Sequence, residues 1–246
     1  EYEMKTLIII PSRMSATRLP GKPLLKINGL SIISHVSKKA EEANIGDVII
    51  ATEDQEIVDD VKKNGFNAIL TSNKHKTGTD RIYEALQKSN IKNVDLIMNL
   101  QGDEPAININ DIINLNNKMI KNHSNLGTLA AVLEDNKKLE SESIVKVITE
   151  KSLKEDYFPK AISFFRKYEK QNNIYHHIGI YCYSKDTLEK FVKLKQSKNE
   201  IENKLEQLRA LDNNIDINVS LAKSSPIGVD TKEDYLALKK IMEYKS

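Results

Sequence analysis

Four short segments of this chain concentrate the residue types that handle phosphates. Residues 11–23 read PSRMSATRLPGKP, which sets Arg13, Arg18 and Lys22 among three prolines and one glycine. Two prolines and the glycine bracket Lys22 and control the path of the loop. Cationic side chains and free backbone N–H groups after a first α/β strand suit an anionic ligand, and a triphosphate is the obvious candidate. Lys22 would act there as a mobile point charge and Arg13 as a two-pronged donor. The second segment, Gln101-Gly102-Asp103-Glu104-Pro105, follows an apolar run. A carboxylate at a strand end, beside a glycine that admits close backbone approach, suits a magnesium ion riding on phosphates. The third, Gly228-Val229-Asp230, offers a second carboxylate. Alone, Asp230 reads as the N-cap of the last helix, with Glu233 three residues on. Taken with Asp103 and the basic loop, it reads as part of a metal–nucleotide site. The fourth, HKTGTDR at 75–81, precedes a helix. Thr77 and Gly78 could read a base edge, with Arg81 near phosphate or helix partners. The plain alternative is a helix start capped by Thr79.

Strands and helices alternate around these segments. Strands are expected at 5–10, 48–52, 68–70, 96–100 and 128–133, and helices at 31–43, 56–63, 79–87 and 111–121. Ser31 is a plausible N-cap for the first helix. This alternation predicts an α/β chain with a doubly wound, mainly parallel sheet, in which ligands bind at the carboxyl ends of strands. After about residue 135 the rhythm loosens. Strands are expected at 144–149, 178–183 and 215–221, and helices at 185–194, 201–211 and 232–243. The segment 158–168 is aromatic and basic without a clear period. No linker marks a boundary, so residues 1–246 read as one domain with an insertion near 135–185 that covers the site and forms a dimer contact.

The bulk numbers exclude several classes of function. With 37 basic and 35 acidic residues in 246, the net charge of +2 does not support nucleic-acid binding driven by bulk charge. One cysteine, Cys182, excludes an internal disulfide and a thiolate metal cluster, and fits a reducing compartment. No run approaches the roughly 20 apolar residues of a membrane span. The apolar run before Pro11 is shorter than the core of a secretory signal, so a cytoplasmic location is expected.

In this order, PSRMSATRLPGKPLLKINGLSIISHV, HKTGTDR, NLQGDEP, HHIGIYCY, LEQLR and GVDTKED closely resemble the 3-deoxy-manno-octulosonate cytidylyltransferase family, over about residues 6–242. The resemblance implies a Rossmann-like nucleotidyltransferase fold and a homodimer serving lipopolysaccharide assembly. It implies attack by the anomeric hydroxyl of an eight-carbon sugar acid on the α-phosphate of CTP, with magnesium bound and pyrophosphate leaving. Arg13 and Lys22 would then hold the phosphates, and Asp103 and Asp230 the magnesium. Pro11, Ser12, Thr77 and Gly78 would line the cytosine and ribose pocket, with Arg81 and Gln101 also on the CTP side. Gln101, Lys160, His177, Tyr181, Glu206 and Gln207 would face the sugar acid. Read by itself, His177 is as well explained as a packed, hydrogen-bonded histidine.

The chain departs from the family pattern at two places. Tyr157-Phe158-Pro159-Lys160-Ala161 stands where the family commonly has Tyr-Phe-Ser-Arg-Ala, and lysine lacks arginine's bidentate grip on a carboxylate. Lys160 or Arg166 is expected to meet the sugar carboxylate. Glu53-Asp54 stands where the family often has aspartate and then a different polar residue. Either change would fit an altered acceptor, such as 8-amino-8-deoxy-Kdo or another ulosonic acid. A nucleotide-binding regulator without catalysis is the reading from another class.

Overall fold

The computed structural model of the chain describes residues 2–16, 18–167 and 170–245. Internal contacts divide it into two compact units, Glu1–Ile109 with Pro226–Ser246, and Asn110–Ser225. The expected insertion, 135–185, lies inside the second unit.

In the first unit, β1 (Thr6–Ser12) is followed by a 3-10 turn at Lys22–Leu24, then β2 (Lys26–Ile27) and β3 (Leu30–Ser31). Next come α1 (Ile32–Glu42), β4 (Gly46–Thr52), α2 (Gln55–Lys63), β5 (Ala68–Leu70), α3 (Gly78–Lys88) and β6 (Leu96–Asn99). β1 pairs in parallel with β4 on one side and β6 on the other, and β4 pairs in parallel with β5. Leu7, Ile8, Ile9 and Ile10 have no exposed surface. A parallel strand covered on both faces produces such an unbroken apolar run. Ser31 caps α1, accepting from Ser34 N–H at 3.2 Å.

The second unit starts with α4 (Ile109–Asn122), β7 (Leu126–Ala131), α5 (Asn136–Glu140) and β8 (Lys146–Thr149). It continues through β9 (Ala161–Phe165), β10 (Ile174–Ser184), α6 (Lys185–Lys193), α7 (Lys198–Asn203), α8 (Leu208–Asp212) and β11 (Asn218–Leu221). β11 and β7 are parallel, whereas β10 runs antiparallel to both β7 and β8, and β8 to β9. Part of the aperiodic 158–168 segment is thus a strand; Tyr168 lies outside the described residues. The single helix expected at 201–211 is replaced by two short ones. Lys204 takes a left-handed conformation (φ 54°) that ends α7. Glu206 and Gln207 therefore sit in the connecting turn.

The chain closes with α9 (Lys232–Tyr244), part of the first unit. Its N-cap is Thr231, in a reciprocal box with Asp234. Asp230 with Glu233 does not form the cap, because threonine one position later already satisfies the first turn. Ile27, Ile32, Val229 and Leu238 form a buried cluster beneath this helix. That packing fixes the backbone directly before Asp230.

Candidate active site

The carboxyl ends of β1 and β6, the start of α3 and the segment before α9 surround one cleft of about 660 Å³ in the first unit. Pro11, Ser12, Arg13, Lys22, Thr77, Gly78, Arg81, Gln101, Asp103 and Asp230 all line it. Two backbone features bring the segments this close. A Cβ on Gly102 would stand 2.9 Å from the Pro11 carbonyl oxygen, so only glycine lets these strand ends approach without a shift. Gly21 (φ 73°) opens the turn that carries Lys22.

Lys22 joins three of the segments. Its Nζ lies 3.2 Å from Asp103 Oδ2 and donates to the Val229 carbonyl at 3.0 Å. The Val229 N–H donates to the Asp103 carbonyl at 2.9 Å. Asp230 is paired with Arg18 at 3.2 Å, both side chains more than 60 % exposed. An exposed ion pair of this kind contributes about 0–1 kcal/mol and exchanges readily for a ligand. Arg18 belongs to the same basic loop as Arg13 and Lys22. Ser15, Ala16, Pro20, His75 and Lys76 also line the cleft without having been singled out.

The loop at 75–81 is held by its own network. Thr77, rather than Thr79, caps α3, accepting from Asp80 N–H at 3.2 Å; Thr79 is buried. Arg81 is buried and committed to protein: Nη1 donates to Thr71 Oγ1 at 2.6 Å and to the Ser72 carbonyl at 3.2 Å, and Nη2 lies 3.7 Å from Glu53. Glu84 accepts from Ser72 N–H and pairs with His75 at 2.7 Å and Lys88 at 2.8 Å. Burial would raise its pKa, but the bonds from Lys88, Ser72 and His75 outweigh this and lower it to about 2. Glu104 has the opposite fate. Burial first, and the neighbouring Asp103 charge second, raise its pKa to about 8. Its Oε2 finds no hydrogen-bond partner among the described residues.

Asp103 and Asp230 supply hard oxygen donors, the type magnesium takes. Among the described residues no group of three or more His, Cys, Asp or Glu gathers as a metal site. A magnesium ion here fits the common arrangement of one or two carboxylates, completed by water and substrate phosphates.

The remaining expected site residues lie in the second unit. His177 is buried, with its ring edge-on to Phe164 at 4.9 Å and tilted to Tyr181 at 5.6 Å. Thr128 Oγ1 donates to the Ile180 carbonyl (2.7 Å), so at 3.0 Å it accepts from His177 Nε2–H, leaving Nδ1 as the acceptor. Burial, and then His176, lower the His177 pKa to about 3. Burial leads the rise of the Tyr181 hydroxyl well above its ordinary value, with Tyr183 and Glu206 adding to it. Gln207 is buried and Glu206 half-buried in the turn before α8. Lys160 points to Asp216 at 3.2 Å on an exposed surface. Arg166 instead reaches the turn after α7, where it bonds the Asn203 and Lys204 carbonyls at 3.5 and 3.4 Å.

The fold and cleft define a nucleotidyltransferase. A nucleotidyl transferase from Methanothermobacter thermautotroptrophicus shares the fold at 12% identity and TM-score 0.62, covering 98% of this chain and 99% of that one. A structure of CMP:2-keto-3-deoxy-manno-octonic acid synthetase complexed with CTP superimposes with TM-score 0.90 at 32% identity, covering 98% of this chain and all of that one. The cytidylyltransferase family model matches residues 7–217. A 3-deoxy-manno-octulosonate cytidylyltransferase from Bartonella bacilliformis is 40% identical over 245 residues, spanning 97% of this chain and 99% of the relative. The chain belongs to the 3-deoxy-manno-octulosonate cytidylyltransferase family.

Proposed function

We propose that this enzyme transfers CMP from CTP to the anomeric hydroxyl of 3-deoxy-D-manno-octulosonate, releasing pyrophosphate and serving lipopolysaccharide assembly. The observation that carries the reading is the single cleft lined by Arg13, Lys22, Asp103 and Asp230 from three separate segments. The anomeric oxygen attacks the α-phosphorus, the bond to the bridging oxygen of the β-phosphate breaks with its electron pair leaving on pyrophosphate, and the hydroxyl proton passes to solvent. Such a transfer needs in-line positioning and charge neutralisation rather than a protein nucleophile. Arg13 forks onto phosphate oxygens. Lys22 is held at 3.2 Å from Asp103, on a stem able to swing onto the triphosphate. Pro11, Ser12, Thr77 and Gly78 form the cytosine and ribose side, and Gln101 lines the same cleft. Arg81 supports that side by bracing Thr71 and Ser72.

Asp103 and Asp230 would hold magnesium, which supplies phosphate neutralisation and polarises the attacking hydroxyl when bound. His177, Tyr181, Glu206 and Gln207 form the acceptor side. Arg166 is the better candidate than Lys160 for the sugar carboxylate, because its planar fork grips a carboxylate in two places and it lies at the turn that leads to Glu206 and Gln207. A homodimer and a cytoplasmic location complete the reading. The exposed apolar Tyr157 and Ile162 fall in the segment expected to meet a second copy.

Pyrophosphate release with CTP and magnesium, measured against 3-deoxy-D-manno-octulosonate, its 8-amino-8-deoxy analogue and other ulosonic acids, tests the proposal. Release with the first acid is the expected result. Turnover confined to the amino analogue would move the acceptor assignment to the lysine-for-arginine change at 160. Tight CTP binding with no release for any acid would favour the regulator.

A further inference from the structure

We infer that Asp54 is a positioning residue for the nucleotide loop, acting through the backbone of Met14. The inference rests on the reading of the first-unit cleft as the CTP site. Asp54 occupies the N-cap of α2, where an aspartate normally accepts an N–H of its own helix. Its side chain makes no such bond. Instead its Oδ2 accepts from Met14 N–H at 2.7 Å, a short bond to a charged acceptor. The Met14 carbonyl in turn accepts from Gly21 N–H at 3.0 Å. Met14 is thus held on both sides. Arg13 directly precedes it and Lys22 directly follows Gly21, so both proposed phosphate cations adjoin clamped backbone.

Register explains why Asp54 reaches this point. β1 and β4 pair in parallel to their last residues, with Ser12 opposite Thr52. Met14 and Asp54 each lie two residues further on, past the strand ends. The side-chain bond continues the ladder by one rung after the backbone pairing has ended. Asp54 N–H donates to Thr52 Oγ1 at 3.1 Å, which fixes the corner from which the carboxylate projects. Its neighbour Glu53 faces Arg81. The Glu53-Asp54 departure therefore acts on the nucleotide side of the enzyme through these contacts.

A negative charge beside a triphosphate site would by itself weaken CTP binding, so the clamp and the charge make opposite predictions. Asp54→Ser separates them. Its short hydroxyl suits an N-cap for α2 but does not span to Met14. Three measurements on the full chain decide the matter: amide hydrogen exchange at Met14, CTP affinity by calorimetry, and the KM for each substrate. In Asp54→Ser, Met14 exchange should rise about tenfold and CTP should bind about tenfold more weakly, the cost of one hydrogen bond to a charged group. The sugar-acid KM should stay within about twofold and the melting temperature should hold or rise. Asp54→Asn keeps an acceptor oxygen and should restore most of the CTP affinity. Unchanged Met14 exchange in Asp54→Ser overturns the inference, as does tighter CTP binding. An equal loss of both substrates with a lower melting temperature also overturns it, by reducing Asp54 to a structural part. If the wild-type chain binds no CTP, the proposed reaction fails separately, while the exchange measurement still judges the clamp.

Discussion

The two groups of candidate residues differ in how they are held. In the first unit, Arg13, Arg18 and Asp230 are exposed around an open cleft, and the carboxylates already carry cationic partners. In the second, buried His177 bonds Thr128, buried Glu200 and Arg209 bond each other, and Gln207 is buried as well. On the proposed reading, phosphate binding uses charges that exchange one counter-ion for another, which suits groups that are wet and loosely paired. On the same reading, a polar acceptor wall depends on fixed donor and acceptor directions, which suits groups held by packing. Arg209 illustrates this: it is bidentate to Glu200 at 2.9 and 2.6 Å and stacked over Phe191 at 4.7 Å, directly after the turn that carries Glu206 and Gln207.

That contrast is open to direct attack. The largest effect is expected from Glu200→Ala, which strands a buried guanidinium. About 3–5 kcal/mol of stability should be lost in chemical denaturation. A loss below about 1 kcal/mol, the surface-pair range, would remove the distinction between the units. Asp103→Asn should lower kcat on the order of 10²–10³-fold, the scale of removing one transition-state electrostatic partner, while metal-free CTP binding persists. Wild-type turnover in that variant would take Asp103 out of the chemistry. Arg166→Ala should raise the sugar-acid KM about tenfold, as expected for one charged hydrogen bond, and Lys160→Ala much less. The reverse order would return the carboxylate to Lys160. The smallest effect concerns pH. Folded His177 stays neutral down to about pH 3, whereas the unfolded residue gains its proton near 6.5. The unfolded chain binds more protons between those values, so this contribution is whole above pH 6.5 and is lost as pH falls. Between pH 7 and 5.5 it amounts to about 1 kcal/mol, which the difference between wild type and His177→Gln should report.

The first unit was largely legible because its signals are local. An unbroken run such as Leu7–Ile10 announces a parallel strand, and loops with Pro, Gly and charge follow the strand ends where ligands bind. The caps at Thr77 and Thr231 lie one or two residues from the alternatives the sequence offers, since Thr77 and Thr79, or Asp230 and Thr231, are equivalent to a composition rule and differ only in which side chain meets the first turn. The break at Lys204 was invisible because lysine has no preference for left-handed backbone. Ser197 and Glu200, whose reciprocal bonds open α7, were a readable mark of where that helix begins. The link from Asp54 to Met14 depends on strand register, which no window of either segment contains.

The hydrogen bonds from Val229 to Asp103 and from Lys22 to Val229 join residues separated by more than a hundred positions. During synthesis the cleft therefore lacks one wall until the ribosome has passed residue 230. A nascent chain halted before that point would already display the basic loop, yet would have only one of the two acids opposite it.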